Sequence, residues 1–76
     1  MIKVCVIGLG YVGLPICLKS SYKFKTVGFD TNKLRIKNLN KKFDQNNEYK
    51  KKDFSNKNLT FADEIYKIKN CNFFII

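Results

Sequence analysis

Val4 to Gly13 reads V-C-V-I-G-L-G-Y-V-G, a short apolar run that stops at Gly8 and continues as Gly-x-Gly-x-x-Gly. Residues 2–7 are almost continuously apolar and rich in β-branched side chains, the pattern of a strand buried on both faces of a parallel sheet. From Tyr11 to Ser21 the spacing turns helical, with Val12, Ile16 and Lys19 on one line and Leu14, Cys17 and Leu18 on the next. Pro15 falls near the first turn, where a missing N–H costs least.

Each glycine of the turn has a physical task. Gly8 permits the tight bend off the strand, Gly10 lets main chain approach a diphosphate with no Cβ between, and Gly13 lets helix and strand pack closely. The helix then aims free N–H groups and its positive dipole end at phosphate. Alone the motif is weak. Its context strengthens it, because Asp30 stands twenty positions after Gly10 at the end of a second apolar run, T-V-G-F-D. A carboxylate there would accept hydrogen bonds from ribose hydroxyls and repel a 2′-phosphate, which favours NAD over NADP. Arg35, one helical turn on, could lie against the adenosine or reach a phosphate. Tyr11 could pack over the start of the helix or line the cleft.

Further along, Asn32 can cap a helix carrying Leu34, Ile36, Leu39 and Phe43 inward, with Lys33, Lys37, Asn40 and Lys41 on the solvated face. Residues 44–57 show no sustained period and predict a mobile surface connection with one helical turn at most. Residues 59–61 predict a third strand. Residues 62–70 predict a short helix with Ile65 and Ile68 inward and an Asp63–Lys67 pair outside, and residues 72–76 a fourth strand. Strands alternating with helices imply an α/β, Rossmann-like half-domain: a parallel sheet of about four strands in order 3-2-1-4 with helices on both faces. The fourth strand would leave an apolar edge unpaired, so the 76 residues are expected to be part of a longer dinucleotide fold.

Composition narrows the function classes. The formal charge is +9, and eleven of the fifteen basic residues lie between Lys33 and Lys69. That balance favours anionic partners without choosing among cofactor, nucleic acid and membrane surface. Nucleic acid is disfavoured, since aromatics are not interleaved with the basic run and no recognition motif is present. Three cysteines without C-x-x-C spacing and no histidine exclude a zinc site and a Cys–His pair; unpaired thiols inside core elements point to a reducing, cytoplasmic setting. The apolar start is interrupted by glycines and Pro15, lacks a small-residue cleavage site, and falls short of the roughly 20 apolar residues of a membrane span.

The stretches K-V-C-V-I-G-L-G-Y-V-G-L-P (3–15), V-G-F-D-T-N-K-L-R-I (27–36), L-T-F (59–61) and C-N-F-F-I-I (71–76) resemble the N-terminal NAD-binding domain of the UDP-glucose/GDP-mannose dehydrogenase family. With D-Q-N-N-E at 44–48, they most resemble its UDP-N-acetyl-hexosamine 6-dehydrogenases. The resemblance implies oxidation of a nucleotide sugar's C6 alcohol to a carboxylate with NAD, through a thioester on an essential cysteine. It also implies NAD contacts from Gly8, Gly10, Gly13, Asp30 and Arg35, with Leu9, Tyr11 and Val12 inside the same phosphate turn. The family's Val-Pro-Thr-Pro-like loop and its catalytic cysteine, lysine, asparagine and aspartate have no counterpart in these 76 residues. No catalytic residue is therefore assigned, Cys71 is not expected to be the nucleophile, and the UDP-sugar is expected to engage only a longer parent protein. The rival readings are a non-catalytic remnant, a small basic binding module, and an interaction fragment that pairs with a second copy or another chain through the open fourth-strand edge.

Overall fold

The computed structural model describes residues 1–43 and 49–76; the D-Q-N-N-E stretch at 44–48 lies outside the described residues. Four parallel strands, β1 (Lys3–Ile7), β2 (Lys25–Phe29), β3 (Leu59–Ala62) and β4 (Phe73–Ile75), form a sheet in the order β3-β2-β1-β4. Helix α1 (Gly13–Ser20) joins β1 to β2, and α2 (Lys33–Asn40) follows β2. Short 3-10 helices at Lys51–Phe54 and Ile65–Ile68 precede and follow β3.

Register explains the burial pattern. Val4 pairs with Thr26 and Val6 with Gly28, so these point to one face, while Cys5 and Val27 point to the other. On the first face Val4 and Val6 join Leu14, Cys17 and Leu18 of α1, Ile36 and Leu39 of α2, and Leu9, Phe54 and Leu59. On the second face Cys5, Val27, Phe29 and Ala62 meet Ile68 and Cys71. Both α-helices thus cover one face, and the 3-10 helix at Ile65–Ile68 covers the other. Gly28 lets the helical layer come close: a Cβ there would crowd the Phe61 ring and the Cys17 sulfur.

Several expectations are corrected. In α2, Leu34 is 63% exposed and Phe43 51%, whereas Arg35 is only 6% exposed and shares the inner face with Ile36 and Leu39. Phe43 swings outward because the helix ends before it. Lys42 adopts φ 62°, and the Lys42 and Phe43 amides donate back to the Leu39 and Asn38 carbonyls, the Schellman closure usually given to glycine. In the segment 62–70, β3 extends to Ala62 and only one 3-10 turn follows. Ile65 is 74% exposed, leaving Ile68 as the inward residue. Asp63 does not pair with Lys67; it lies 3.4 Å from Lys33 Nζ, an exposed contact of little weight. In the part of the expected mobile connection that is described, Phe54 is buried and sets its ring edge-on between Tyr49 and Phe61, and Asn56 and Asn58 both donate to the Ser21 carbonyl.

At the sheet's other side, Asn72 fastens β4 to β1. Its amide donates to the Lys3 carbonyl, and its side chain accepts from the Lys3 amide and donates to the Met1 carbonyl. Beyond that anchor Phe73 and Phe74 are largely exposed.

All three cysteines are free and buried. Burial, then the neighbouring Cys71, pushes the Cys5 thiol up to about 11; burial, then Cys5, pushes Cys17 up to about 12. Both folded values lie above the ordinary 9.0. Their contribution is therefore complete below pH 9 and is lost as pH rises towards the folded values, since only the unfolded chain ionises in that window. The urea midpoint is expected to fall between about pH 9 and about pH 11, with a flatter fall in Cys17→Ala. Parallel profiles for the two proteins would refute a thiol contribution.

Candidate functional site

The turn between β1 and α1 lies where the chain's crossovers diverge: β2 and β3 follow on one side of β1, and β4 pairs on the other. In open α/β sheets such a switch point, at the carboxyl ends of the strands, is where ligands bind. Gly8 turns the chain with φ +92°, and its amide donates to the Phe29 carbonyl at 2.8 Å. A Cβ on Gly13 would overlap the Gly8 carbonyl, so the helix start and the turn are in direct contact. A Cβ on Gly10 would meet nothing within 4 Å. It would project from a wall of the cleft of about 490 Å³ that runs from Gly8 and Gly10 past Tyr11, Val12 and Ile16 to Ile75 and Ile76.

The amides of Gly10, Tyr11, Val12 and Gly13 have no hydrogen-bond acceptor among the described residues. Helix α1 begins behind Val12 without a side-chain cap and with no acidic residue in its first turn. An uncapped first turn is a standing demand for an acceptor, and its dipole favours a negative one. These residues fit a diphosphate: open donors, bare main chain at Gly10, and no carboxylate in the way.

Asp30 stands just past β2, on the opposite side of the turn from β4. Its Oδ2 accepts from the Leu9 amide and its Oδ1 from the Asn32 amide, each at 3.0 Å. The carboxylate keeps further lone pairs on both oxygens, so it can hold the turn and still accept from a ribose. Asn32 in turn caps α2, accepting from the Arg35 amide at 3.0 Å. Arg35 does not extend over the cleft. Its Nε and Nη2 both donate to the Leu9 carbonyl, at 3.0 and 2.9 Å.

The structure thus gathers Gly8, Leu9, Gly10, Tyr11, Val12, Gly13, Asp30 and Arg35 around one turn. Tyr11 lines the cleft and is exposed. Leu9 is 1% exposed and sends its side chain into the core, so only its main chain is available at the turn. Sequence reasoning missed Ile75 and Ile76 as a cleft wall; the parallel pairing of Val6 with Ile75 carries that signal, but only once the fourth strand is placed beside the first. Among the described residues no cluster of three or more His, Cys, Asp or Glu side chains could hold a metal ion, and no helix is long and apolar enough to cross a membrane.

Comparison with known proteins agrees with this geometry. The family model of the UDP-glucose/GDP-mannose dehydrogenase family, NAD binding domain, matches residues 2–76. A UDP-N-acetyl-D-glucosamine 6-dehydrogenase from Salmonella typhi is 45% identical over 76 residues, 99% of this chain and 18% of the relative. Protein CapL from Staphylococcus aureus is 38% identical over 74 residues, 97% of this chain and 18% of the relative. A solved UDP-D-ManNAc dehydrogenase from Pyrococcus horikoshii superposes with a TM-score of 0.86 at 28% identity, covering 96% of this chain and 19% of that one. The chain therefore spans less than a fifth of the length of these relatives.

The two glycines at the ends of the open turn should respond oppositely to alanine. Gly13→Ala forces the helix off the turn and is expected to lower stability by about 1–3 kcal/mol. Gly10→Ala, with open space around its Cβ, is expected to leave the denaturation midpoint within about 0.5 kcal/mol of the parent while abolishing dinucleotide binding. Equal stability losses would show that the turn is not built as described.

Proposed function

Because the chain belongs to the UDP-glucose/GDP-mannose dehydrogenase family, whose NAD-binding domain it carries, we propose that the β1–α1 turn and Asp30 hold the adenosine diphosphate portion of NAD. The observation that carries this reading is the row of four amides, Gly10 to Gly13, without an acceptor among the described residues, on a turn where Gly10 leaves main chain bare. The diphosphate would accept from these amides at the positive end of α1. Asp30, on the β2 side, would accept from the adenosine ribose, and its charge would exclude a 2′-phosphate.

When bound, NAD supplies the hydride acceptor. The groups of this chain bind and orient it; the cleft wall of Val12, Ile16, Ile75 and Ile76 keeps the β4 side of the turn apolar. Cys5, Cys17 and Cys71 are buried core thiols, so they are not assigned a nucleophile's part. The NAD-dependent oxidation of a UDP-N-acetyl-hexosamine at C6, the activity suggested by the names of the relatives, is proposed for the protein of which this domain is the cofactor-binding part. Unpaired thiols suit a cytoplasmic site for that reaction, and the apolar β4 edge suits pairing with further protein, a second copy included.

Asp30→Asn removes the charge and keeps one acceptor oxygen, which can serve the Leu9 amide while the bond from the Asn32 amide is given up. The ratio of NADP to NAD affinity, followed by amide chemical-shift titration, is expected to rise on the order of tenfold or more as like-charge repulsion is removed. An unchanged ratio would remove the ribose assignment. Titration shifts that avoid the β1–α1 turn altogether would remove the site.

A further inference from the structure

Among the described residues the outer edge of β3 is open. The Thr26 amide of β2 donates to the Asn58 carbonyl and the Asp30 amide to the Ala62 carbonyl, with Thr60 opposite Val27 in the ladder. Main-chain groups alternate sides along a strand, so Leu59 and Phe61 turn theirs away from β2, to a side where the sheet has no further strand among the described residues. The Leu59 amide is taken by the Asn56 carbonyl; the Leu59 carbonyl and both main-chain groups of Phe61 have no partner among the described residues. A groove of about 360 Å³ wraps this edge, with Lys33, Lys37 and Lys41 of α2 on one side, Lys67 of the second 3-10 helix on the other, and Phe61 and Asp63 between them. Because α2 covers the first face of the sheet and that 3-10 helix the second, the groove reaches both. All four lysines are exposed. Asp63, the one carboxylate in the groove, lies beside Lys33, whereas Lys37, Lys41 and Lys67 have no ion pair among the described residues. Lys37 and Lys41 suit the negative end of α2, but Lys33 stands at its positive end, where a cation is disfavoured.

We propose that the open edge of β3 and the lysines around it form a docking surface for an acidic extended segment of a partner protein, which adds to the sheet as a further strand. Such additions take affinity from main-chain hydrogen bonds and specificity from the side chains on either face. The open groups of Leu59 and Phe61 supply the first. Lysine supplies the second: side chains of an added strand point alternately to the two faces, towards the α2 lysines on one and Lys67 on the other. Lysines on a sheet edge keep most strands away, and here that repulsion becomes selection, since it rejects basic segments and leaves acidic ones. A second copy of this chain is rejected with them, carrying a formal charge of +9 and only six acidic residues. Open peptide groups favour a polypeptide over a nucleic acid, which has no main-chain amides to offer them. The surface is independent of the dinucleotide turn, because none of the residues lining this groove lines that cleft.

The test is an amide chemical-shift titration of the ¹⁵N-labelled chain with a capped octapeptide alternating glutamate and valine. The Phe61 amide proton is expected to move downfield as it gains an acceptor, the Lys37 and Lys41 amides to shift with it, and the turn at residues 8–13 to stay in place. A lysine–valine octapeptide should not bind, and neither should the N-methylated glutamate–valine peptide, which has the same charge and no N–H. Lys37→Glu combined with Lys41→Glu should weaken the acidic peptide by at least about tenfold through like-charge contact. Lys19→Glu combined with Lys23→Glu makes the same change in net charge in a different groove and should alter affinity by no more than about twofold, since screening confines exposed charges to short range. Equal losses in the two double variants would mean that net charge, not this groove, attracts the peptide, and would overturn the proposal. Equal binding of the N-methylated peptide would overturn strand addition. An oligothymidylate that shifts these same amides where the acidic peptide does not would make the surface one for phosphate backbones and overturn it as well.

Discussion

The site depends on how one residue, Leu9, is held. Its amide goes to Asp30, its carbonyl to Arg35, and its side chain to the core shared by α1 and α2. A glycine-flanked turn is intrinsically loose, since glycine loses more conformational freedom on ordering than any other residue. Here the looseness is confined to the flanks. Gly8 bends and Gly10 stays bare, while the residue between them is tied to the ends of two further elements. Because Asp30 also starts α2, through the Asn32 amide, and Asn32 caps it, the turn, the end of β2 and the start of α2 form one connected piece. Displacing any of them moves the amides that face the cleft.

That coupling explains the burial of an arginine in a chain of this size. A charged side chain is almost never fully buried without a partner, and here two of its donors are satisfied by a main-chain oxygen. The core face of α2 then reads Arg35, Ile36 and Leu39, with a polar residue where periodicity alone would put an apolar one. Two of the arginine's donors depend on Leu9 presenting its carbonyl, and the bend at Gly8 sets how Leu9 presents it. Local sequence and tertiary contact are consistent at this point, the condition under which a fold is well specified.

Much of this was legible in the sequence. The apolar run at β1, the glycine spacing, the capping Asn32 and the aspartate after β2 are local signals, and each led to the right element. The strand order followed from chain alternation and crossover handedness. What escaped was non-local. Nothing near Arg35 announces that its partner is a carbonyl twenty-six positions earlier. Leu34 looks as apolar as Ile36, and only the rotation of α2 about its axis, set by Arg35 and Leu39, turns it outward. The segment 62–70 carried a helical spacing, but β3 consumes its first residue to pair Ala62 with Phe29, and one 3-10 turn is all that fits before Asn72 must meet Lys3. Phe54 sat in a polar stretch where no periodicity could flag it as core.

The charge of the chain proves to be a poor guide to its site. The cleft beside the glycine turn is lined by glycine, tyrosine and aliphatic side chains, with no lysine among the described residues. The lysines instead gather elsewhere: Lys33, Lys37, Lys41 and Lys67 surround a shallow groove over α2 and the end of β3. Lysine along a sheet edge discourages strands of other molecules from adding there, whereas the β4 edge exposes Phe73 and Phe74. The positive potential at the turn therefore comes from main-chain amides at the uncapped start of α1, not from lysine side chains. Flexible surface ammonium groups are screened within about 8–10 Å at physiological salt, but amides fixed in a turn need no reorganisation when an anion arrives. The two kinds of positive charge sit apart: lysines line the groove over α2 and the end of β3, and the buried arginine holds the Leu9 carbonyl under the turn.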